Sequence, residues 1–166
     1  MPQKESFSLS IQKATAHLEA LGLAGRIRTF DQSSATVELA AKALNCAPER
    51  IAKTLSFAVE DGVVLIVAAG DAKIDNHKFK EKFKTKARML PAGEVEERVG
   101  HTVGGVCPFG VNAGVKIYLD ESLRRFEIVY PACGSPSSAV ELSPAELEAC
   151  VGPVEWVDVC KGWQEE

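Results

Sequence analysis

The run Val63-Val64-Leu65-Ile66-Val67-Ala68-Ala69 constrains this chain more than any other stretch of it. Its unbroken apolar character predicts a central strand buried on both faces, because a solvated face would interrupt it with polar residues. It is far too short to cross a bilayer. Asp61-Gly62, just ahead of it, is turn chemistry suited to a tight hairpin, and residues 52–59 before the turn alternate as a strand does. A hairpin whose second arm is apolar on both sides has to be covered twice. The other segments must therefore supply layers to either face of a sheet.

They do so in mixed order. Leu9, Ala14, Leu18 and Leu21 fall at helical spacing, predicting a helix that opens at a Ser8 or Ser10 cap and stops at Gly22. Residues 26–30 read as a short strand and Asp31 to Ser34 as turn and cap material. Val37, Ala40, Ala41 and Leu44 form the apolar stripe of a helix over 36–44. Pro48 suits the first turn of a very short helix. Asp75 caps a helix reaching about residue 83, with Phe79 and Phe83 turned to the core. A short strand over 88–90, an acidic helix over 93–99, a strand over 115–119 and a helical turn over 120–125 follow. Strands are expected at 127–132, 139–142 and 155–159. Ser143-Pro144-Ala145-Glu146 has the form of a capping box for a helix ending near Cys150. With no repeat, low-complexity tract or linker, the sum is one α+β domain over residues 1–166. Its sheet is mixed and strongly curved, barrel-like, and surrounded by helices.

Composition works by exclusion. At 46% hydrophobic and 25% charged residues, the chain is ordinary globular protein. A net charge of -4 argues against a cationic coat for DNA, though not against a local basic patch. One such patch exists: Lys73, Lys78, Lys80, Lys82, Lys84, Lys86 and Arg88 face only Asp75 and Glu81 in the same span. It is either a solvated helix face or a contact for a polyanion. The 5 cysteines and 3 histidines are scattered without zinc spacing, so no metal is expected. Met1 to Ser10 is polar and lacks the apolar core of a leader, which points to a cytoplasmic protein without disulfides or membrane attachment.

Two places carry candidate chemistry. Gly104-Gly105-Val106-Cys107-Pro108-Phe109-Gly110 is neither a helix interior nor a central strand. It is an ordinary tight connection or a cradle of peptide N–H groups for an ester carbonyl or oxyanion. Lys53 shares a strand face with Leu55 and Phe57, while Thr54, Ser56 and Ala58 take the other. A lysine in that company either packs its stem with its amine in water or serves a site. Cys107, six residues after His101, is one half of a Cys–His nucleophile pair or else a small wall residue. Nucleotide-binding fingerprints and the hydrolase elbow are missing.

As an ordered set, Arg50-Ile51-Ala52-Lys53-Thr54-Leu55, Ala68-Ala69-Gly70-Asp71, the glycine–proline loop, Tyr118-Leu119-Asp120 and Val140-Glu141-Leu142 resemble the YbaK/EbsC family. These are free-standing relatives of the editing domain inserted in bacterial prolyl-tRNA synthetases, and the likeness runs over residues 33–150. The resemblance implies the YbaK/ProRS-associated editing-domain fold. It also implies a trans-acting deacylase that hydrolyses mischarged tRNA, chiefly tRNA(Pro) carrying a small wrong amino acid, without a cofactor. By that resemblance Lys53 holds the phosphate or ribose of the terminal adenosine, and the loop Gly104, Gly105, Val106, Cys107, Pro108 positions the aminoacyl carbonyl. Aminoacyl-tRNA is the implied partner and prolyl-tRNA synthetase a second one; DNA and membrane are not.

The residues agree with that chemistry. An aminoacyl ester is already activated, so orientation and oxyanion stabilisation suffice, with water or a ribose hydroxyl as nucleophile. The hydroxyls of Thr54, Ser56, Ser135, Ser137 and Ser138 are candidates to line a side-chain pocket, with Phe30 as a wall. Lys78, Lys80, Lys82, Lys84 and Lys86 are candidates for acceptor-stem phosphates. One departure is Ala139, where the cysteine-removing branch of the family carries an acidic residue. The alternative is a non-catalytic module of the same fold that holds tRNA ends or a synthetase.

Overall fold

The apolar run becomes the middle strand of the largest sheet. The computed structural model describes residues 2–30, 36–60, 62–101, 106–135, 137–152 and 154–163, with side chains from Leu9 onward. Helix α1 (Pro2–Ala20) leads through a 3-10 turn into β1 (Ile27–Thr29). Helix α2 (Val37–Leu44) and a 3-10 turn at Pro48–Arg50 precede the hairpin of β2 (Ile51–Val59) and β3 (Gly62–Ala69). Then come β4 (Lys73–Ile74), α3 (Asn76–Phe83), α4 (Ala92–Val99), β5 (Lys116–Asp120) and a 3-10 turn at Glu121–Arg125. The chain continues through β6 (Tyr130–Pro131), β7 (Ser138–Val140), α5 (Pro144–Val151), β8 (Glu155–Val157) and β9 (Cys160–Lys161). The main sheet runs β6-β2-β3-β5-β8; within it only β2 and β3 are antiparallel. The architecture is α+β, with a curled mixed sheet and helices around it.

Both faces of β3 are covered, as its composition requires. Val64, Ile66 and Ala68 enter the main core with Phe57, Phe79, Leu119 and Leu142. Val63 and Leu65 turn to a second cluster with Leu90 and the α4 residues Val95 and Val99. Burial of each such Val, Leu or Ile side chain stabilises the fold by roughly 1.5–3 kcal/mol, so a polar residue at Leu65 or Ile66 breaks the central strand. A chain of tilted and edge-to-face rings fastens α3 to the sheet: Phe57–Phe79 at 4.9 Å, Phe79–Phe83 at 4.6 Å and Phe83–Tyr118 at 5.0 Å between centroids. The Asp75 carboxylate caps that helix, accepting from His77 N and Lys78 N. Buried Asp120 ties β5 to its neighbours, accepting from Ser122 N at 2.9 Å and Val159 N at 3.0 Å.

Some boundaries differ from the sequence expectation. Helix α1 begins at Pro2, so Ser10 lies inside it, buried, rather than at its cap. The strand expected over 127–132 pairs in the main sheet only at β6, because Val129 and Ala132 bridge instead to Leu142 and Ala139. The small β4–β9 pair carried no alternating pattern to announce it. The capping box formed as expected: Ser143 Oγ accepts from Glu146 N, and Glu146 Oε1 accepts from Ser143 N. Asp31 to Ser34 lie outside the described residues.

Candidate active site

The outer edge of β2 is paired at two places with a gap between them. Strand β6 takes Ile51 and Ala52, and the 88–90 segment takes Ser56 to Ala58 through Leu90 N–H to Ser56 O and Ala58 N–H to Arg88 O. Among the described residues nothing pairs with the edge at Lys53 to Leu55. A cavity of about 480 Å³ opens there. One side is the apolar face of α2 (Val37, Ala40, Leu44), the opposite side Leu90, Val95 and Val106, and Ser135, Ser138 and Ala139 close an end.

Lys53 is half-buried on this wall, and its ammonium donates to Gly70 O across 3.4 Å, a long contact. Among the described residues no carboxylate forms an ion pair with it. Burial is the main cause lowering its pKa from the ordinary lysine value, against the weaker pull of Asp71. Gly70 is a site residue whose role the sequence reading missed. A Cβ there would stand 2.1 Å from Pro48 O and 2.7 Å from Val37 Cγ1, so only glycine lets α2 approach the end of β3. The available signal was a lone glycine directly after a buried strand.

The hydroxyl candidates separate into two kinds. Thr54 Oγ1 is buried on the cavity wall with no hydrogen-bond partner among the described residues, an uncommon and costly state for a polar atom. Ser56 also lines the wall. The serines of the turn are committed to one another: Ser138 O–H donates to Cys133 O at 3.0 Å, Ser135 O–H to Ser138 Oγ at 3.0 Å, and Ser137 N–H to Ser135 Oγ at 3.2 Å. Ser135 and Ser138 therefore shape the cavity's end rather than present free hydroxyls. Ser137 and Phe30 are not among its walls; Phe30 N–H donates to Ser137 O and so links the end of β1 to the turn.

Of the glycine–proline loop, Val106 reaches the cavity, while Gly104 and Gly105 lie outside the described residues. Cys107 and Pro108 do not line it. Pro108 faces a separate hollow with His17 and Gly110. Cys107 is fully buried, and burial pushes its thiol up to about 12. His101, also fully buried, lies with Nε2 at 3.5 Å from Cys107 Sγ. That nitrogen already donates its hydrogen to Phe109 O at 2.5 Å, while Nδ1 accepts from Ser10 Oγ at 2.6 Å. It has no lone pair left to take the thiol proton. The Cys–His nucleophile reading is corrected accordingly: the two are neighbours, but sealed and in the wrong tautomer.

Residues 31–150 match the model of the aminoacyl-tRNA editing domain. The chain belongs to that family. It is 50% identical to the uncharacterized protein YwhH of Bacillus subtilis (strain 168) over 157 residues, covering 94% of this chain and 100% of that one. Over 101 residues it is 31% identical to the proline–tRNA ligase of Geobacillus sp. (strain WCH70), which is 60% of this chain and 18% of the ligase. Its fold overlays the crystal structure of a candidate trans-editing enzyme for prolyl tRNA synthetase with a TM-score of 0.84 at 30% identity, covering 92% of this chain and 98% of the other. The YbaK-like kinship seen in the motifs is thus sound.

On this editing domain the lysine-rich span is not uniform. Lys78 donates to Asp158 at 3.0 Å and to Cys160 O at 3.1 Å, and Lys82 pairs with Glu155, so both are held against the β8–β9 segment. Lys80 and Lys86 line a shallow hollow of about 410 Å³ with Asn76 and His77. Lys84, exposed, ends α3 in the left-handed region at φ 63°. Exposed Arg88 follows, and the next residue, Met89, stands on the cavity wall. Among the described residues no helix is long and apolar enough to cross a membrane.

Proposed function

We propose that this protein is a trans-acting deacylase that hydrolyses the ester of mischarged tRNA, with tRNA(Pro) bearing a small wrong amino acid as substrate. The observation that carries this reading is the half-buried Lys53 ammonium, without a carboxylate partner among the described residues, on the wall of a cavity that combines apolar side chains with small and hydroxyl ones. An ammonium has three donors, and one long contact to Gly70 O leaves capacity for a phosphate or ribose oxygen of the terminal adenosine. The aminoacyl group enters beside Thr54, Ser56, Ala132 and Ala139, where the Thr54 hydroxyl, without a partner among the described residues, awaits a polar atom. Peptide N–H groups around Gly104, Gly105 and Val106 meet the developing oxyanion. Water or the substrate's own ribose hydroxyl is the nucleophile, since Cys107 is sealed away.

Exposed Lys80, Lys84 and Lys86, joined by Arg88, form a basic path toward the cavity mouth for acceptor-stem phosphates. Lys78 and Lys82 act less directly, through the ion pairs that hold α3 in place. Kinship with a segment of some proline–tRNA ligases fits work in the cytoplasm on tRNA that such a ligase has mischarged, with or without lasting contact to it. The test is a panel of alanyl-, cysteinyl-, seryl-, threonyl- and 2-aminobutyryl-tRNA(Pro), each with the wild type and Lys53→Ala. Hydrolysis of at least one, lost in the variant, is expected. Hydrolysis of none at high enzyme concentration assigns the protein to the non-catalytic binding module.

A further inference from the structure

Helix α1 precedes the residues matched by the family model, yet one of its faces packs on two segments that contribute Val106 and Ser135 to the cavity's lining. Ser10, Lys13, Ala14, His17 and Leu18 recur at helical spacing and form a single stripe. Ala14 and Leu18 are fully buried. The three polar members meet the 100–110 segment at separate points. Ser10 O–H donates to His101 Nδ1, Lys13 Nζ donates to Gly100 O at 3.0 Å, and His17 Nδ1 accepts from Gly110 N at 2.9 Å. The other nitrogen of His17 donates to Cys150 O at 2.6 Å, because a carbonyl only accepts; this fixes the tautomer and ties the helix to α5.

Close backbone approach reinforces the contacts. A Cβ on Gly110, whose φ is +66°, would stand 2.6 Å from Lys13 O. A Cβ on Gly134, at φ +90°, would stand 2.6 Å from Ser10 O. Gly134 opens the turn whose Ser135 and Ser138 close the cavity's end, and Gly110 ends the loop whose Val106 lines its side.

We propose that His17 is a positioning residue for the ester-cleaving loop, and that α1 is a clamp holding two walls of the cavity in register; this rests on the deacylase reading above. His101, held by Ser10, grips the Val106–Gly110 stretch through Phe109 O and His17 grips it through Gly110 N, so the peptides of that stretch, Val106 N–H among them, keep the orientation an oxyanion requires. A shift of about 1 Å in such donors lowers rates by on the order of a hundredfold.

Two substitutions at His17 split its two hydrogen bonds. His17→Asn keeps an acceptor near Nδ1 for Gly110 N–H and loses the donor to Cys150 O. His17→Gln reaches Cys150 O and loses the acceptor for Gly110. The clamp predicts that kcat for deacylation falls about ten- to a hundredfold in the Gln variant, with KM for aminoacyl-tRNA little changed, while the Asn variant keeps most of its kcat. Equal losses that track melting temperature in both variants would reduce His17 to a fold-holding residue and overturn the proposal. An unchanged kcat in the Gln variant would do the same. Amide hydrogen exchange over 106–110 reads the clamp without any turnover: faster exchange in the Gln than in the Asn variant supports it, and no difference overturns it. Should the wild type hydrolyse no aminoacyl-tRNA, the deacylase reading fails and the exchange comparison alone decides the clamp.

Discussion

Lys53 and the His101–Cys107 pair are both polar groups drawn into the protein, and they teach opposite lessons. Around His101 every capacity is met: Nε2–H goes to Phe109 O, Nδ1 receives Ser10 O–H, and Cys107 Sγ lies 3.7 Å from the same Phe109 carbonyl. Around Lys53, among the described residues, almost nothing is met, since one long contact serves a charged group on a cavity wall. By residue type the first cluster looks the more reactive. Its surroundings make it the more inert, because a burial that satisfies all donors and acceptors leaves no proton to move and no room for a substrate.

The largest effect that separates the two is Lys53→Ala, expected to lower kcat/KM for deacylation by on the order of a hundred- to a thousandfold with little change in melting temperature. Steady-state assays beside thermal melts check both halves. Parity with the wild type would remove Lys53 from the chemistry. Next is the basic path. Charge reversal in Lys80→Glu with Lys86→Glu is expected to raise KM for tRNA about tenfold at low salt and to lessen its salt dependence. Lys78→Ala and Lys82→Ala should leave that salt dependence in place and cost less than about 1 kcal/mol in urea unfolding, their ion pairs being partly exposed.

Cys107→Ala sharpens the other side. Deacylation is expected to stay within about twofold, while unfolding in urea shows a loss of roughly 1 kcal/mol from the vacated sulfur site. A folded Cys107→Ala protein without activity would break the comparison outright. The smallest effects are in pH. The wild-type to Lys53→Ala rate ratio should decline as pH rises through the lowered pKa of Lys53, earlier than for an ordinary lysine. Burial chiefly lowers the His101 pKa below its unfolded value of 6.5, so on acidification the unfolded chain binds that proton first. Its contribution to stability is therefore complete above that value and diminishes as pH falls through it, which urea midpoints at pH 8 and pH 5.5 compare.

Local chemistry explains what was legible and what was not. The β2–β3 hairpin, the Asp75 cap and the Ser143–Glu146 capping box depend on residues close in sequence, and their patterns were plain. The family motifs pointed to Lys53 and to the loop, and with them to the editing-domain kinship. The sequence did not tell Lys78 from Lys80, because the difference lies in Asp158, 80 residues away. Nor did it tell Ser137 from Ser138, since which serine of a turn faces a cavity depends on how that turn closes on Cys133 O. The starting point of α1 was misplaced because Ser10 looks like a cap. Its hydroxyl in fact serves His101, 91 residues on.

On its own, then, the order of residues determined the central strand, the helix caps and the kinship, all of which follow from period and short-range hydrogen bonding. Only the tertiary structure decided that nothing among the described residues pairs with the edge of β2 at Lys53, that Gly70 admits α2, and that Cys107 is buried. Each of those outcomes hangs on contacts between segments far apart in sequence. Hydrophobic burial brings such segments together without direction, and packing alone settles which polar groups are left facing a cavity.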